Sequence, residues 1–236
     1  MLKTFRYRLR PTRGQGTAMS GILQECRWYW NHALEERKGA WELRQARIGF
    51  FDQCKSLPSL KTERPSLTTV HAQVLQQVAV RLDLAFEAFF RRCKAGEKPG
   101  YPRFRGEGRY DSFTFPQAPS GCKLNGDRLV LSKVGSVKVI LHRPLEGTPK
   151  TCTIRRTSAG KWFVSFSCEV EVVVLPESDE QVGIDVGLTS FATLSTGDRI
   201  ANPRFFRTEQ RCLAKAQRRF EKTAKGSRLR ARCRKV

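Results

Sequence analysis

The sequence contains no run of about 18 apolar residues, the length that a membrane-spanning helix needs. Its first residues, Met1–Arg6, also lack the apolar stretch of a secretory signal. We therefore expect no membrane-spanning helix and a cytosolic location. Internal repeats and low-complexity tracts are missing too, and a chain of 236 residues is long enough for two or more folded units, each with a buried core.

Metal-binding patterns are also missing. The eight cysteines include no two at C-x-x-C spacing, and the only histidines are His32, His71 and His142. A structural zinc site needs four clustered thiolate or imidazole ligands, so we expect no zinc site in this chain. The cysteines are expected to be scattered, buried thiols.

Acidic residues are scarce, since 22 Asp and Glu face 44 Lys and Arg and the formal net charge is +22. Such a surplus exceeds what solubility needs and concentrates polyanions. A ribosomal-type protein, a membrane-surface binder and another DNA- or RNA-binding protein are all compatible with it. Arginines interleave with aromatic residues at 27–30 (RWYW) and 103–105 (RFR). Guanidinium groups form bidentate hydrogen bonds to phosphate, and aromatic rings stack on bases. This pattern therefore favours nucleic acid over lipid as the partner.

The N-terminal half combines one strand with helices. Segment 3–10 (KTFRYRLR) alternates, which predicts a strand with a core face and a cationic face. Apolar periodicity predicts helices over about 17–46 and 66–94, with Ser66 or Thr68 capping the second. The proline-containing residues between these helices are expected to be irregular. Four aromatic residues are expected in the core: Trp28, Trp30, Trp41 and Phe89.

From residue 112 the pattern changes to strands. They are expected at 112–115, 122–124, 128–132, 136–141, 150–157 and 161–170. The dipeptide Asn125-Gly126 predicts the hairpin turn between the second and third of these strands. Segment 3–10 can complete the sheet as a small β-barrel, with the helices inserted between its first and second strands. The predicted fold class is therefore α+β.

An acidic segment, 171–181 (EVVVLPESDEQ), predicts a boundary before a second region. Two strands are expected there at 182–186 and 191–194, and 196–198 (TGD) is expected to turn into a third. Asn202-Pro203 is the predicted start of a helix. Residues 204–235 carry 13 Lys and Arg against two glutamates, which predicts a basic helix with a frayed end.

Asp185 interrupts an otherwise apolar predicted strand and is flanked by Gly183 and Gly187. A buried carboxylate is costly unless it is paired or binds a metal. Three interpretations remain open on the residues alone. They are a structural aspartate bonded to backbone donors, the first phosphate loop of an actin- or Hsp70-like ATPase, and the first metal carboxylate of an RNase H-like nuclease core.

An ordered series of short motifs spans nearly the whole chain. It comprises 5–12 (FRYRLRPT), 27–34 (RWYWNHAL), 88–92 (AFFRR), 100–105 (GYPRFR), 112–117 (SFTFPQ), 135–139 (GSVKV), 160–164 (GKWFV), 183–187 (GIDVG) and 202–205 (NPRF). In this series the chain resembles the TnpB family, which consists of RNA-guided DNA nucleases encoded by insertion sequences and related to type V CRISPR effectors.

The resemblance implies an architecture that agrees with the pattern of helices and strands. Residues 1–12 and 95–172 correspond to a wedge-type β-barrel, and residues 13–94 to an inserted helical recognition lobe. Residues 180–236 correspond to the start of an RNase H-like RuvC domain with a basic C-terminal helix. The family also implies the prokaryotic cytosol or nucleoid.

The family's RuvC site uses two Mg²⁺ ions and three carboxylates, and Asp185 matches the first, so the resemblance makes it the catalytic and metal-binding candidate. Two metals need several anionic ligands. The later acids Asp198, Glu209 and Glu221 match neither remaining motif, and the family's zinc ribbon has no counterpart here. We therefore expect a truncated copy that does not cleave DNA. The alternatives are a fragment of an active endonuclease whose remaining carboxylates and zinc ribbon lie beyond residue 236, and a basic RNA-binding regulator.

The implied partners are a guide RNA and a target DNA, with base pairing reading the sequence and the protein reading the backbone. The expected phosphate contacts are Lys3, Arg6, Arg8, Arg10, Arg27, Arg91, Arg92, Arg103 and Arg105. Taken singly, each is equally compatible with a solvated surface charge. The group at 103–105 is the leading candidate because flanking glycines allow a close backbone approach. Gln76 and Gln117 are candidates for contacts to base edges.

Overall fold

The N-terminal alternation forms strand β1 (Leu2–Arg10), as predicted. Phe5, Tyr7 and Leu9 are buried, while Arg6 and Arg10 are exposed on the other face. The computed structural model describes residues 1–171, 179 and 181–234. The chain divides into two units, Met1–Glu171 and Val172–Val236, and each is described by itself.

In the first unit, β1 is part of an antiparallel sheet of seven strands. The others are β2 (Ser112–Phe115), β3 (Cys122–Asn125), β4 (Arg128–Leu131), β5 (Gly135–Ile140), β6 (Thr148–Arg156) and β7 (Trp162–Glu169). The order is β2-β6-β7-β1-β5-β4-β3, so β1 is central; Leu2 lies opposite Glu169 and Arg8 opposite Ile140. Gly126, with a φ of 56°, forms the turn between β3 and β4. The strand positions and the hairpin are confirmed.

The sheet curls until its two edges approach each other. Cys122 on edge strand β3 has its Sγ 2.7 Å from Sγ of Cys152 on β6, which neighbours the opposite edge strand β2. A short helix, α4 (Ala118–Gly121), connects β2 to β3, and a Cβ at Gly121 would collide with the ring of Phe115. The sheet is therefore a nearly closed barrel, as the α+β prediction required. Both thiols are buried as expected, whereas Cys93 is exposed.

The chain between β1 and β2 contains helices α1 (Arg13–Arg44), α2 (Phe50–Glu63) and α3 (Ala72–Lys94). Helix α1 begins with a capping box, because Thr12 and Gln15 each accept a hydrogen bond from the other's backbone amide through their side chains. The buried faces of the helices join the inner face of the barrel in one hydrophobic core. Each large aliphatic side chain buried there contributes about 1.5–3 kcal/mol.

Helix α2 replaces the segment that was expected to be irregular. Pro58 lies inside it and supplies no backbone donor. Leu57 and Leu60 on either side of the proline are buried, and this packing outweighs the local preference against a helix. The caps predicted for α3 were also wrong, because Ser66 and Thr68 lie in a separate 3-10 helix (Pro65–Thr69) and the N-cap of α3 is His71.

A buried polar network ties the three helices together. Arg37 on α1 donates from Nε to Gln53 Oε1 at 3.0 Å and from a terminal nitrogen to Asp83 Oδ1 at 2.9 Å. Gln53 on α2 is 1% exposed and donates from Nε2 to the carbonyl of Ala33 at 2.8 Å. Because an unpaired buried polar group is costly, these bonds favour one arrangement of α1, α2 and α3.

The second unit begins with a small antiparallel sheet of strands β8 (Ile184–Asp185), β9 (Ser190–Leu194) and β10 (Arg199–Ala201), in the order β10-β9-β8. Helices α5 (Phe205–Glu221) and α6 (Arg228–Cys233) follow. The three strands and the basic helix are confirmed. However, α5 begins after Arg204 rather than at Asn202, and α6 replaces the expected frayed end. Most of the predicted acidic boundary lies outside the described residues.

No helix in the described part of the chain is both long enough and apolar enough to cross a bilayer.

Candidate nucleic-acid interface

Four arginines from three separate segments of the first unit line one open groove, which we call the arginine groove. They are Arg6 on β1, Arg27 on α1, and Arg155 and Arg156 at the end of β6. The remaining lining residues are Ser20, Leu23, Gln24, Glu107, Gly108, Tyr110, Asp111, Thr157 and Ser158. The sheet and the inserted helices thus contribute cations to the same surface.

Aromatic rings orient two of these guanidinium groups. The Cζ atom of Arg6 lies 4.1 Å from the ring centroid of Phe163, and that of Arg156 lies 5.7 Å from the ring of Trp162. Arg156 also donates to Ser20 Oγ at 3.3 Å. When the planar face of a guanidinium group stacks on an aromatic ring, its N–H groups stay available for bidentate hydrogen bonds to phosphate.

The groove keeps a positive balance despite two acids. Arg155 forms an ion pair with Asp111, with both nitrogen–oxygen distances at 2.9 Å, and Glu107 is the other acid in the lining. Two carboxylates therefore face four guanidinium groups. Burial raises the pKa of Tyr110 in the groove wall to about 12, so its hydroxyl stays neutral at physiological pH.

The predicted cationic segment 103–105 is fastened to α1 through its backbone. Asn31 Nδ2 donates to the carbonyl of Arg105 at 3.0 Å, and the amide of Arg105 donates to Asn31 Oδ1 at 2.7 Å. Trp30 Nε1 donates to the carbonyl of Arg103 at 3.1 Å. These bonds fix the backbone and leave both arginine side chains exposed.

The glycines flanking this segment have open space beside them, and their role in a close approach of nucleic acid stays a prediction. A Cβ added at Gly100 would meet nothing within 4 Å, and one at Gly106 would lie 3.9 Å from its nearest neighbour, the side chain of Arg109. The side chain of Asn31 on α1 attaches the segment to the rest of the first unit.

The predicted cations of β1 do not all line the arginine groove. Lys3 Nζ lies 2.6 Å from Glu146 Oε2 and is already paired. Arg8 is half-buried and Arg10 is exposed, and neither lines the arginine groove. Arg6 is the member of this group that the groove contains.

The two predicted base-reading glutamines lie close to a common polar patch. Gln117 is exposed, and its Oε1 accepts from Gln73 Nε2 at 2.8 Å. Gln73 precedes the exposed Gln76 by three residues on α3, so the two share a face of the helix. Arg91 and Arg92 are exposed in the last turn of α3.

The environment of Asp185 differs from the expectation of a buried strand. Asp185 pairs with Thr193 of β9, and its neighbours Ile184 and Val186 are 65% and 70% exposed. Asp198 lies in the turn between β9 and β10 and accepts from Thr196 Oγ1 at 3.0 Å. Among the described residues there is no group of three His, Cys, Asp or Glu side chains that could hold a metal ion. This donor set does not fit a two-metal site.

Arg155 and Arg156 were missed by the sequence reading. The sequence around them gave little indication of a phosphate contact, since it shows only two arginines at the end of a predicted strand. Their importance comes from the pairing of β6 with β7 and of β7 with β1, which puts Arg156 opposite Trp162 and Arg6 opposite Ser165.

Among the aromatic residues expected in the core, Trp30 is buried as predicted, whereas Trp41 is 48% exposed.

Comparison with known sequences gives two family matches. Residues 165–236 match the OrfB_IS605 family, described as "Probable transposase". Residues 1–46 match HTH_OrfB_IS605, described as "Helix-turn-helix domain". In the structure the second range contains β1 and the whole of α1, which is one continuous helix.

Two curated relatives match along almost the whole chain. The first is named "Putative RNA-guided DNA endonuclease" and the second "Putative RNA-guided DNA endonuclease InsQ". The protein of Streptomyces pristinaespiralis is 34% identical over 99% of this chain, and that of Escherichia coli (strain K12) is 32% identical over 96%. The match covers 58% and 55% of their lengths, so the chain spans somewhat more than half of each relative.

A solved structure, the Cas12f1-sgRNA-target DNA complex, matches 94% of this chain and 62% of its own chain, with a TM-score of 0.42 and 11% identity.

Proposed function

Because this chain belongs to the OrfB (TnpB-type) family of insertion-sequence proteins, we propose that it binds a guide RNA and, through that RNA, a target DNA. The observation that carries the proposal is the arginine groove, in which Arg6, Arg27, Arg155 and Arg156 converge from distant parts of the chain. The names of the two relatives support the choice of RNA and DNA as ligands.

In this proposal the groove binds the RNA backbone. Fixed guanidinium groups bind consecutive phosphates, and the exposed Arg103 and Arg105 extend the phosphate track beside α1. Sequence selection then comes from base pairing between guide and target, since phosphate contacts carry no sequence information. Gln76 and Gln117 remain candidates for reading base edges, because a glutamine amide can pair with adenine.

Binding to single-stranded RNA is expected to weaken steeply with salt. If the four groove arginines each contact one phosphate, the affinity should fall roughly 50-fold between about 50 and about 200 mM salt, because each contact in a single strand adds about −0.7 to the log–log slope. Fluorescence anisotropy with a labelled RNA measures this slope. An affinity that stays flat over this range would contradict the proposal.

The guide function has its own test. RNA that co-purifies with the protein is sequenced, and DNA complementary to it is offered to the complex beside a scrambled DNA of equal length. Retention of the complementary DNA that disappears after ribonuclease treatment supports guided binding. Retention of RNA with no preference between the DNAs supports a basic RNA-binding regulator instead.

We also propose that the polypeptide of residues 1–236 binds without cutting. The support is Asp185, a single exposed carboxylate where a two-metal mechanism needs several to hold the attacking and leaving oxygens. We expect no cleavage of complementary DNA by the RNA-bound protein with Mg²⁺, and no difference between this protein and its Asp185→Ala variant. Guide-dependent cutting that is lost in Asp185→Ala would show that a complete site forms.

A further inference from the structure

Four aromatic rings form a cluster where α3 ends and the following segment folds back. We define the aromatic cluster as Phe86, Phe89, Phe90 and Tyr101. Tyr101 packs edge-on against Phe86 and Phe89, with ring centroids 5.6 and 5.3 Å away, and Phe90 lies 5.2 Å from Phe89. Phe90 remains 55% exposed and Tyr101 44% exposed.

The cluster is anchored to the body of the first unit. Phe86 packs against the hydrophobic core, and the guanidinium of the buried Arg37 lies 5.2 Å from the centre of its ring. The chain after Tyr101 is fixed at Arg103 by the hydrogen bond from Trp30. The two exposed rings, Phe90 and Tyr101, are therefore held side by side on a segment that is attached to the core, so they form one exposed aromatic surface.

The surroundings of the cluster are cationic. Between residues 86 and 105 the chain has two exposed acids, Glu87 and Glu97, and six exposed cations: Arg91, Arg92, Lys94, Lys98, Arg103 and Arg105. None of the six forms an ion pair with a carboxylate in the described part of the chain. The electrostatic complement of such a patch is a polyanion, whereas the apolar surface of a protein partner gains nothing from these charges.

We propose that the aromatic cluster is a stacking platform for unpaired bases of a single-stranded nucleic acid, with Phe90 and Tyr101 as the contacting rings and the surrounding cations on the phosphates. A duplex hides the faces of all its bases inside the stack, except at its two terminal pairs, so exposed rings stack preferentially on bases that are unpaired. This inference rests on the proposed nucleic-acid function and adds the kind of segment that is bound. It also gives the aromatic cluster a role that differs from that of the arginine groove, which in the proposed function binds only the phosphate backbone of the RNA.

The test compares a long, unstructured single-stranded RNA with an RNA duplex of the same length, in which the two terminal base pairs are a small fraction of the binding sites. Phe90→Ala and Tyr101→Ala should each weaken single-strand binding about 10-fold or more, because one stacked base is lost, and leave duplex binding unchanged. Phe90→Trp and Tyr101→Phe keep an aromatic face and should retain the affinity. Phe90→Trp should also show more quenching of tryptophan fluorescence by the single strand than the wild type with its four native tryptophans, and no such excess with the duplex.

Several results would overturn the inference. Unchanged single-strand affinity in both alanine variants would show that the rings do not stack, and equal weakening for single strand and duplex would show a general effect. Thermal melting of each variant identifies a loss of folding. Self-association of the wild type that the same variants abolish, with RNA affinity intact, would assign the cluster to a protein interface. A wild type that binds no RNA would contradict the proposed function itself. If variants of the arginine groove lose RNA binding while the aromatic variants keep it, only the stacking platform is refuted.

Discussion

Replacing Arg6 and Arg156 together by glutamate is expected to weaken RNA binding by about 150-fold. Each arginine in the proposed complex donates a charge-assisted hydrogen bond to phosphate, worth at least about 1.5 kcal/mol, and two such losses add up to about 3 kcal/mol. The two side chains come from β1 and β6 and meet in the arginine groove. The log–log slope of affinity against salt should also become shallower by about 0.7 of a unit for each lost contact with single-stranded RNA.

The matched control reverses the same amount of charge elsewhere. Arg44 and Arg47 are exposed at and beyond the end of α1, and Arg44 lies about 25 Å along the helix from Arg27. The Arg44→Glu, Arg47→Glu double variant changes the net charge equally and should lose less than about 10-fold in affinity, because only the long-range field changes. Equal losses in the two double variants would show that net charge, and not the groove, carries the binding.

Replacing Arg37 by methionine is expected to destabilise the first unit by about 3 kcal/mol. Methionine retains the apolar stem but removes the bonds to Gln53 and Asp83. Gln53 is 1% exposed, so its Oε1 loses its partner in a place that water does not reach, which alone costs about 1–3 kcal/mol. The side chain of Asp83 is 36% exposed and recovers solvation, which limits the loss. Denaturant titration with an independent thermal melt measures the change.

Lys38→Met is the control for this variant, because Lys38 follows Arg37 on α1 and is exposed. Its ion pair with Glu42, at 3.7 Å, lies on the surface and should contribute no more than about 0.5 kcal/mol. If Arg37→Met were as stable as Lys38→Met, the polar network would not hold the three helices together. Double replacement of Arg37 and Gln53 by apolar residues should recover part of the lost stability, since no polar group then remains unpaired.

The elements of the fold that sequence predicted are those with strong local patterns. Alternation at Phe5, Tyr7 and Leu9 identified β1, and Asn125-Gly126 identified the hairpin. Helix α2 was not predicted because Pro58 argues against a helix locally, while the burial of Leu57 and Leu60 that stabilises it depends on neighbours distant in sequence. Packing overrode propensity at that point.

The sequence predicted individual residues of the candidate interface, but it did not predict how they come together in one site. Arg6 and Arg27 were predicted as phosphate contacts, but nothing local to Arg155 and Arg156 distinguishes them from other surface arginines. Their convergence depends on strand register, and the attachment of residues 103–105 depends on Asn31, more than 70 positions earlier in the chain. Side-chain contacts of that sequence separation have no signature in a single sequence.

The central place of β1 also determines when the barrel can form during synthesis. Its neighbours are β5 and β7, and its register with β7 joins Leu2 to Glu169. A ribosome adds about 5–20 residues per second, so the strand that is made first lacks its partners for roughly 8–30 s after it is made. The helices of residues 13–94, whose contacts are more local, can associate during this delay. We expect the nascent chain to collapse first around α1 and α3, while β1 stays without its strand partners until β5 and β7 emerge.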